Sequence, residues 1–130
     1  MGIINYTIVT LGSHSALQIL KGAKDEGFKT VVVATPDRLT LYNSYSNFID
    51  EILEIDSWKD FPKLEKQLLK RNAIIIPHGS FVAYLGMEQN KNMKALYFGN
   101  KKVLDWEDNR KMQRNWMEEA GVKVPHRFKR

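Results

Sequence analysis

Thr7-Ile8-Val9-Thr10-Leu11-Gly12-Ser13-His14-Ser15-Ala16 and Ala73-Ile74-Ile75-Ile76-Pro77-His78-Gly79-Ser80 are the stretches that decide the fold. Each opens on a β-branched, apolar run without polar alternation, which reads as a strand buried on both faces. Each run is stopped by Gly or Pro, and helical spacing follows at once. Thr30-Val31-Val32-Val33-Ala34 is a third such run, broken by Thr35-Pro36-Asp37-Arg38. Strands alternating with helices imply an α/β layer fold with a parallel sheet and right-handed crossovers.

Between these runs the pattern fills in. Ser15-Ala16-Leu17-Gln18 has the form of a capping box, and Ala16, Ile19, Leu20 and Ala23 continue a helix that Gly27 ends. Residues 36–48 lack clear periodicity and read as a long loop at the same sheet edge. Glu51-Ile52-Leu53-Glu54-Ile55 reads as a shorter strand, and Phe61, Leu64, Leu68 and Leu69 as the apolar face of a helix ending near Asn72. Ser80 to Gly86 reads as helical, with Phe81, Val82 and Leu85 inward. Ala95-Leu96-Tyr97-Phe98 reads as a last central strand, Asp105 as the cap of one final helix through Ala120, and Val122-Lys123-Val124 as a short exit strand.

A chain of 130 residues can bury one sizeable core. The absence of cysteine removes disulfides and thiolate metal sites and points to an intracellular, cytoplasmic setting. No apolar run approaches the roughly 18 residues of a membrane-spanning helix, so no membrane partner is expected. The net charge of +5 is local: residues 1–109 carry thirteen basic and thirteen acidic side chains, whereas residues 110–130 carry seven and two. The body is therefore neutral, and a basic face suited to nucleic acid is not expected. Adjacent carboxylates such as Asp50 and Glu51 read as pointing apart. Trp58, Trp106 and Trp116 read as packing or interface residues, and Tyr42 and Tyr45 as exposed aromatics that an interface or local packing explains equally well.

The two turns carry the chemistry. In a parallel sheet, strand C-termini and helix N-termini gather on one edge, where ligands bind. Gly12, Ser13, His14 and Ser15 offer backbone N–H groups, hydroxyls and an imidazole there, as do His78, Gly79 and Ser80. The dinucleotide pattern Gly-x-Gly-x-x-Gly is missing. If the first and fourth strands lie side by side, both turns flank one crevice suited to a phosphorylated small molecule. The competing readings are local: Ser15 a helix cap, His14 a solvated side chain, His78 a buried histidine holding a neighbouring loop. His14, His78 and His126 lack the spacing of a metal motif, and neither Ser13 nor Ser80 sits in a nucleophile elbow, so no metal or catalytic residue is assigned.

The run from Thr10 to Lys24, the run Ile76-Pro77-His78-Gly79-Ser80-Phe81-Val82-Ala83-Tyr84, then Phe98-Gly99-Asn100-Lys101-Lys102 and Glu119-Ala120-Gly121-Val122-Lys123-Val124-Pro125 resemble one family in order. It is the archaeal purine-biosynthesis ligase family, formate–phosphoribosylaminoimidazolecarboxamide ligase. The resemblance implies a Rossmann-like (pre-ATP-grasp) three-layer domain over residues 1–124, with 125–130 a linker toward an ATP-grasp domain absent from this chain. It implies a whole enzyme that uses ATP and Mg2+ to formylate 5-aminoimidazole-4-carboxamide ribonucleotide with formate, and that forms a homo-oligomer. The family's substrate-binding positions fall on His14 and Ser80, with Gly12, Ser13, Ser15, His78 and Gly79 around them. The glycine-rich loop over ATP and the magnesium carboxylates have no counterpart here, so this chain by itself is expected to be inactive. The alternative is a non-catalytic nucleotide-binding or interaction module with a basic C-terminal docking tail.

Overall fold

The computed structural model describes residues 5–128, and the side chains of Val82, Met87 and Glu107 fall outside the described set. The expected inward packing of Val82 and the basic residues Lys129 and Arg130 therefore lie outside it too. The chain divides into two compact units, one up to Gly99 and one from Asn100 onward.

The first unit is built on five parallel strands: β1 (Thr7–Leu11), β2 (Lys29–Ala34), β3 (Glu51–Glu54), β4 (Ala73–Ile75) and β5 (Leu96–Tyr97). Their order is β3-β2-β1-β4-β5. β1 lies between β2 and β4, pairing Leu11 with Val33 on one side and Val9 with Ile75 on the other. Alternation along the strands then sorts side chains to two faces. Val9, Leu11, Val31, Val33 and Ile75 pack with Phe61, Leu64, Leu68, Phe81 and Leu85. Val32 and Ala34 pack on the opposite face with Ala16, Leu20, Tyr42, Phe48 and Ile49. Helix α1 (Ala16–Asp25) lies on the second face, and α3 (Glu65–Lys70) and α4 (Gly79–Leu85) on the first. This is the three-layer arrangement.

Several local expectations are corrected. Ser15 precedes α1, but its side chain makes no capping bond; at φ −100° and ψ 4° it is not in the extended conformation that aims a cap hydroxyl at the first turn. The C-terminus behaves as read. Gly27 takes φ 85°, and the N–H groups of Gly27 and Phe28 donate to Lys24 and Ala23 carbonyls, a Schellman closure. The supposed loop 36–48 contains a 3-10 turn, Pro36–Arg38, and helix α2, Leu39–Asn43. Its Tyr42 is buried, not exposed, because Leu39, Tyr42 and Tyr45 recur at helical spacing among polar residues and face the core.

The stretch read as one helix before Asn72 begins as a 3-10 segment, Trp58–Leu64, with Pro62 inside it, and becomes α3 afterwards. Leu69 is exposed. Helix α5 (Met87–Asn92) carried no sequence expectation. β5 is an edge strand of two residues, not a central one: Leu96 is 53% and Phe98 69% exposed. Asp50 and Glu51 do point apart. Asp50 accepts from Thr30 and Lys24, whereas Glu51 accepts from Arg71.

In the second unit the expected single helix is two, α6 (Val103–Asp108) and α7 (Arg110–Glu119). Asn109 breaks it, taking an extended φ/ψ while its side chain accepts from the N–H groups of Lys111 and Met112 at 3.0 and 3.1 Å. The cap of the last helix is thus Asn109, not Asp105. Residues 122–124 form no strand. The Trp106 and Trp116 rings meet across this helix pair, 6.2 Å apart.

Candidate functional site

The adjacency of β1 and β4 decides where the two turns go. From β1 the chain winds outward through β2 and β3, then returns to place β4 on the other flank of β1. The gap beyond the C-termini of β1 and β4 is therefore the sheet's topological switch point, the place where open α/β sheets hold ligands. Residues 12–15 enter it from β1 and residues 77–80 from β4.

The turns are locked to each other by His78, which is half-buried. Its Nδ1 accepts the Ser80 N–H at 3.3 Å, so the proton resides on Nε2, which donates to the Leu11 carbonyl at 3.0 Å. Burial depresses the His78 pKa; the Leu11 bond acts the other way, and the nearby His14 lowers it further. His78 thus serves as a neutral brace between the turns, and its ring nitrogens are both engaged.

Ser13 is buried, and its hydroxyl lies 3.3 Å from the Tyr84 phenol. Its N–H and that of Gly12 donate to the Leu11 and Val33 carbonyls. The backbone N–H groups of His14 and Ser15 have no partner among the described residues, and both side chains are exposed. Gly12 is buried under Tyr42, where an added Cβ would lie 2.5 Å from Cε2 of that ring. Gly79 is open: a Cβ there would meet nothing within 4 Å. Ser80 is half-exposed beside these groups.

Three further side chains enter the same place. Arg38, past the end of β2, donates from Nη1 to the Gly12 carbonyl and from Nη2 to Tyr84 Oη at 3.4 Å. Its Cζ stands 5.3 Å from the Trp58 ring centre and 5.7 Å from that of Tyr84. Trp58 and Tyr84 stack on each other, 4.9 Å apart and 7° from parallel. Hydrogen bonding with Ser13 first, then Arg38, and with Ser80 as well, outweighs burial and lowers the Tyr84 pKa. One phenol thus joins Ser13 of the first turn to Arg38 beyond β2. The sequence reading of Trp58 as packing holds for its partly buried ring but missed its place at this edge. Tyr84 was legible in principle: it follows Ser80 by four residues, on the same helix face. Arg38 carried only the signal of a lone cation just after a buried strand.

These elements define a class, an α/β Rossmann-like three-layer domain whose strand-end loops gather at the switch point. The chain belongs to the family described as "Protein of unknown function (DUF1246)", whose model matches residues 8–128. It is similar to the protein of Methanococcus aeolicus named 5-formaminoimidazole-4-carboxamide-1-(beta)-D-ribofuranosyl 5'-monophosphate synthetase, 44% identical over 125 residues, covering 94% of this chain and 34% of that protein. The protein of the same name from Pyrococcus abyssi is 49% identical over 118 residues, covering 91% and 33%. The chain thus spans about a third of the length of the curated relatives it matches. Among solved structures, the IMP biosynthesis protein PurP from Thermococcus kodakaraensis superposes with a TM-score of 0.77 at 36% identity, over 92% of this chain and 38% of that one. The biotin carboxylase domain of the Hydrogenobacter thermophilus 2-oxoglutarate carboxylase shares the fold, with a TM-score of 0.67 at 19% identity, over 90% and 28%.

Among the described residues no helix is long and apolar enough to cross a membrane. No group of three or more His, Cys, Asp or Glu among them is arranged to hold a metal ion.

Proposed function

We propose that this chain is the substrate-binding portion of a ligase that formylates 5-aminoimidazole-4-carboxamide ribonucleotide with formate and ATP in IMP biosynthesis. The observation that carries the proposal is the meeting of the Gly12-Ser13-His14 and His78-Gly79-Ser80 turns at one switch point, in a chain similar to synthetases named for the formylated product. His14 contacts the phosphoribosyl or carboxamide side of the nucleotide, and Ser80 hydrogen-bonds it. The open backbone at Gly79 and the N–H groups of His14 and Ser15 receive its polar oxygens, and Gly12 and Ser13 shape the turn beneath.

Residues 1–124 form the substrate-binding domain in this reading, and 125–130 lead toward an ATP-grasp domain. ATP would supply the phosphoryl group that activates formate, and Mg2+ its charge neutralisation. The described residues do not fit a magnesium ion. The assembled enzyme is cytoplasmic and homo-oligomeric in this proposal.

Calorimetric titration of the chain with the ribonucleotide and with its unphosphorylated nucleoside tests the reading. Binding is expected, tighter for the nucleotide. His14→Ala should weaken it about tenfold or more, as loss of one charge-assisted bond of roughly 1.5–3 kcal/mol requires. Unchanged affinity removes His14 from the site. No binding of either compound would favour the interaction-module alternative.

A further inference from the structure

We infer that Arg38 is the phosphate-recognising cation of the switch-point crevice, held in place for that task by Trp58, Tyr84 and the Gly12 carbonyl. The inference rests on the nucleotide-binding reading above and names the group that would meet the phosphate ester.

Position comes first. Arg38 closes the 3-10 turn that follows β2, and β2 neighbours β1, so its guanidinium reaches the rim of the β1 turn. There it spends one bond on Gly12 O and one on Tyr84 Oη. A guanidinium has five N–H donors, so three remain beyond these two bonds. The long side chain is ordinarily costly to immobilise. Here two aromatic faces within 6 Å of Cζ and two hydrogen bonds have already restrained it.

Charge comes second. The acidic partner of Arg38 among the described residues is Asp37, whose Oδ2 lies 3.6 Å from Nε on a side chain that is 73% exposed. That contact is too long for a hydrogen bond and too wet to cancel the charge. His78 is neutral and committed to Leu11 and Ser80, so it supplies no positive charge. Arg38 is therefore a permanent cation at this edge, beside a turn whose His14 and Ser15 N–H groups have no partner among the described residues. Guanidinium N–H groups flanked by backbone N–H groups match the oxygens of a phosphate ester. The competing role is a structural brace that only holds Gly12 in place.

The two roles separate by titration. Wild type, Arg38→Gln and Arg38→Lys are each titrated with the ribonucleotide, its nucleoside and ribose 5-phosphate, after circular dichroism has shown that the variants fold. The expected result for Arg38→Gln is at least a tenfold loss for the two phosphorylated compounds, with nucleoside affinity within about twofold. Arg38→Lys keeps the charge without the planar fork and should recover part of the loss. Equal losses for nucleotide and nucleoside would show a brace and overturn the proposal, as would a phosphate preference that survives Arg38→Gln; the nucleotide reading would stand in both cases. Arg38-dependent binding of ribose 5-phosphate that the base does not strengthen would uphold Arg38 and overturn the nucleotide reading. A wild-type chain indifferent to phosphate would overturn both.

Discussion

Gly12→Ala measures how tightly the β1 turn is built into the core. A methyl group at this position would sit 2.5 Å from Cε2 and 3.0 Å from Cζ of Tyr42. Comfortable carbon–carbon contact is about 3.5–4.0 Å, so something must move by about 1 Å. The backbone is poorly placed to yield: Gly12 N–H donates to Val33 O at 2.7 Å, and its carbonyl accepts from Arg38. Tyr42 is 2% exposed and packed among Ala16, Leu20, Val32, Ala34, Phe48 and Ile49, so it has little free space either.

Overpacking of this kind costs about 1–3 kcal/mol. For a unit of this size each kcal/mol is worth about 4–8 °C, so the melting temperature should fall by roughly 4–24 °C. Thermal denaturation followed by circular dichroism reads the change directly. The double variant with Tyr42→Leu isolates the cause. Tyr42→Leu is itself destabilising, but it removes the ring that the new methyl group strikes. The two changes together should therefore cost at least about 1 kcal/mol less than the sum of their separate effects. Strict additivity, or a Gly12→Ala chain that melts within 1 °C of wild type, would refute the steric account (a threshold of about 0.2 kcal/mol).

Two further outcomes follow from the same geometry. His78 is held neutral in the folded chain, with its pKa below the ordinary 6.5 chiefly through burial. The unfolded chain takes up that proton first, so this stability is full above the ordinary value and is lost as the pH falls below it. Urea denaturation between about pH 8 and pH 5 should show the decline, and His78→Gln should flatten it; an unchanged slope would mean that His78 is not the group responsible. Asn109→Ala should remove the cap of α7, costing about 1 kcal/mol. Hydrogen exchange at Lys111 and Met112 should accelerate roughly fivefold, while the strands stay protected; unaltered exchange would show that the cap bonds carry no weight.

The strands were readable because a buried parallel strand needs an unbroken β-branched run, and Thr7–Leu11, Lys29–Ala34 and Ala73–Ile75 have one. Elements whose apolar face is thin or mixed with polar residues were not. Helix α2 hides Tyr42 among Asn and Ser, and β5 resembles a central strand until its neighbours are known. Ser15 shows the limit of a local motif. The residue types of a capping box are present, but the hydroxyl makes no cap because the turn holds Ser15 outside the extended region.

Taken alone, the sequence determined that Gly-Ser-His and His-Gly-Ser turns would stand at the ends of buried strands, since strand period, breaker and helix start are local properties. It left their meeting conditional on strand order. Only the tertiary structure placed β4 against β1, because pairing depends on which apolar faces the crossovers can bring together. The same step made His78 a brace and brought Arg38 and Trp58, from two other segments, to Tyr84 at one edge. Contacts between residues so far apart along the chain leave no spacing to read, and it is these contacts that fix the charge and shape of the crevice.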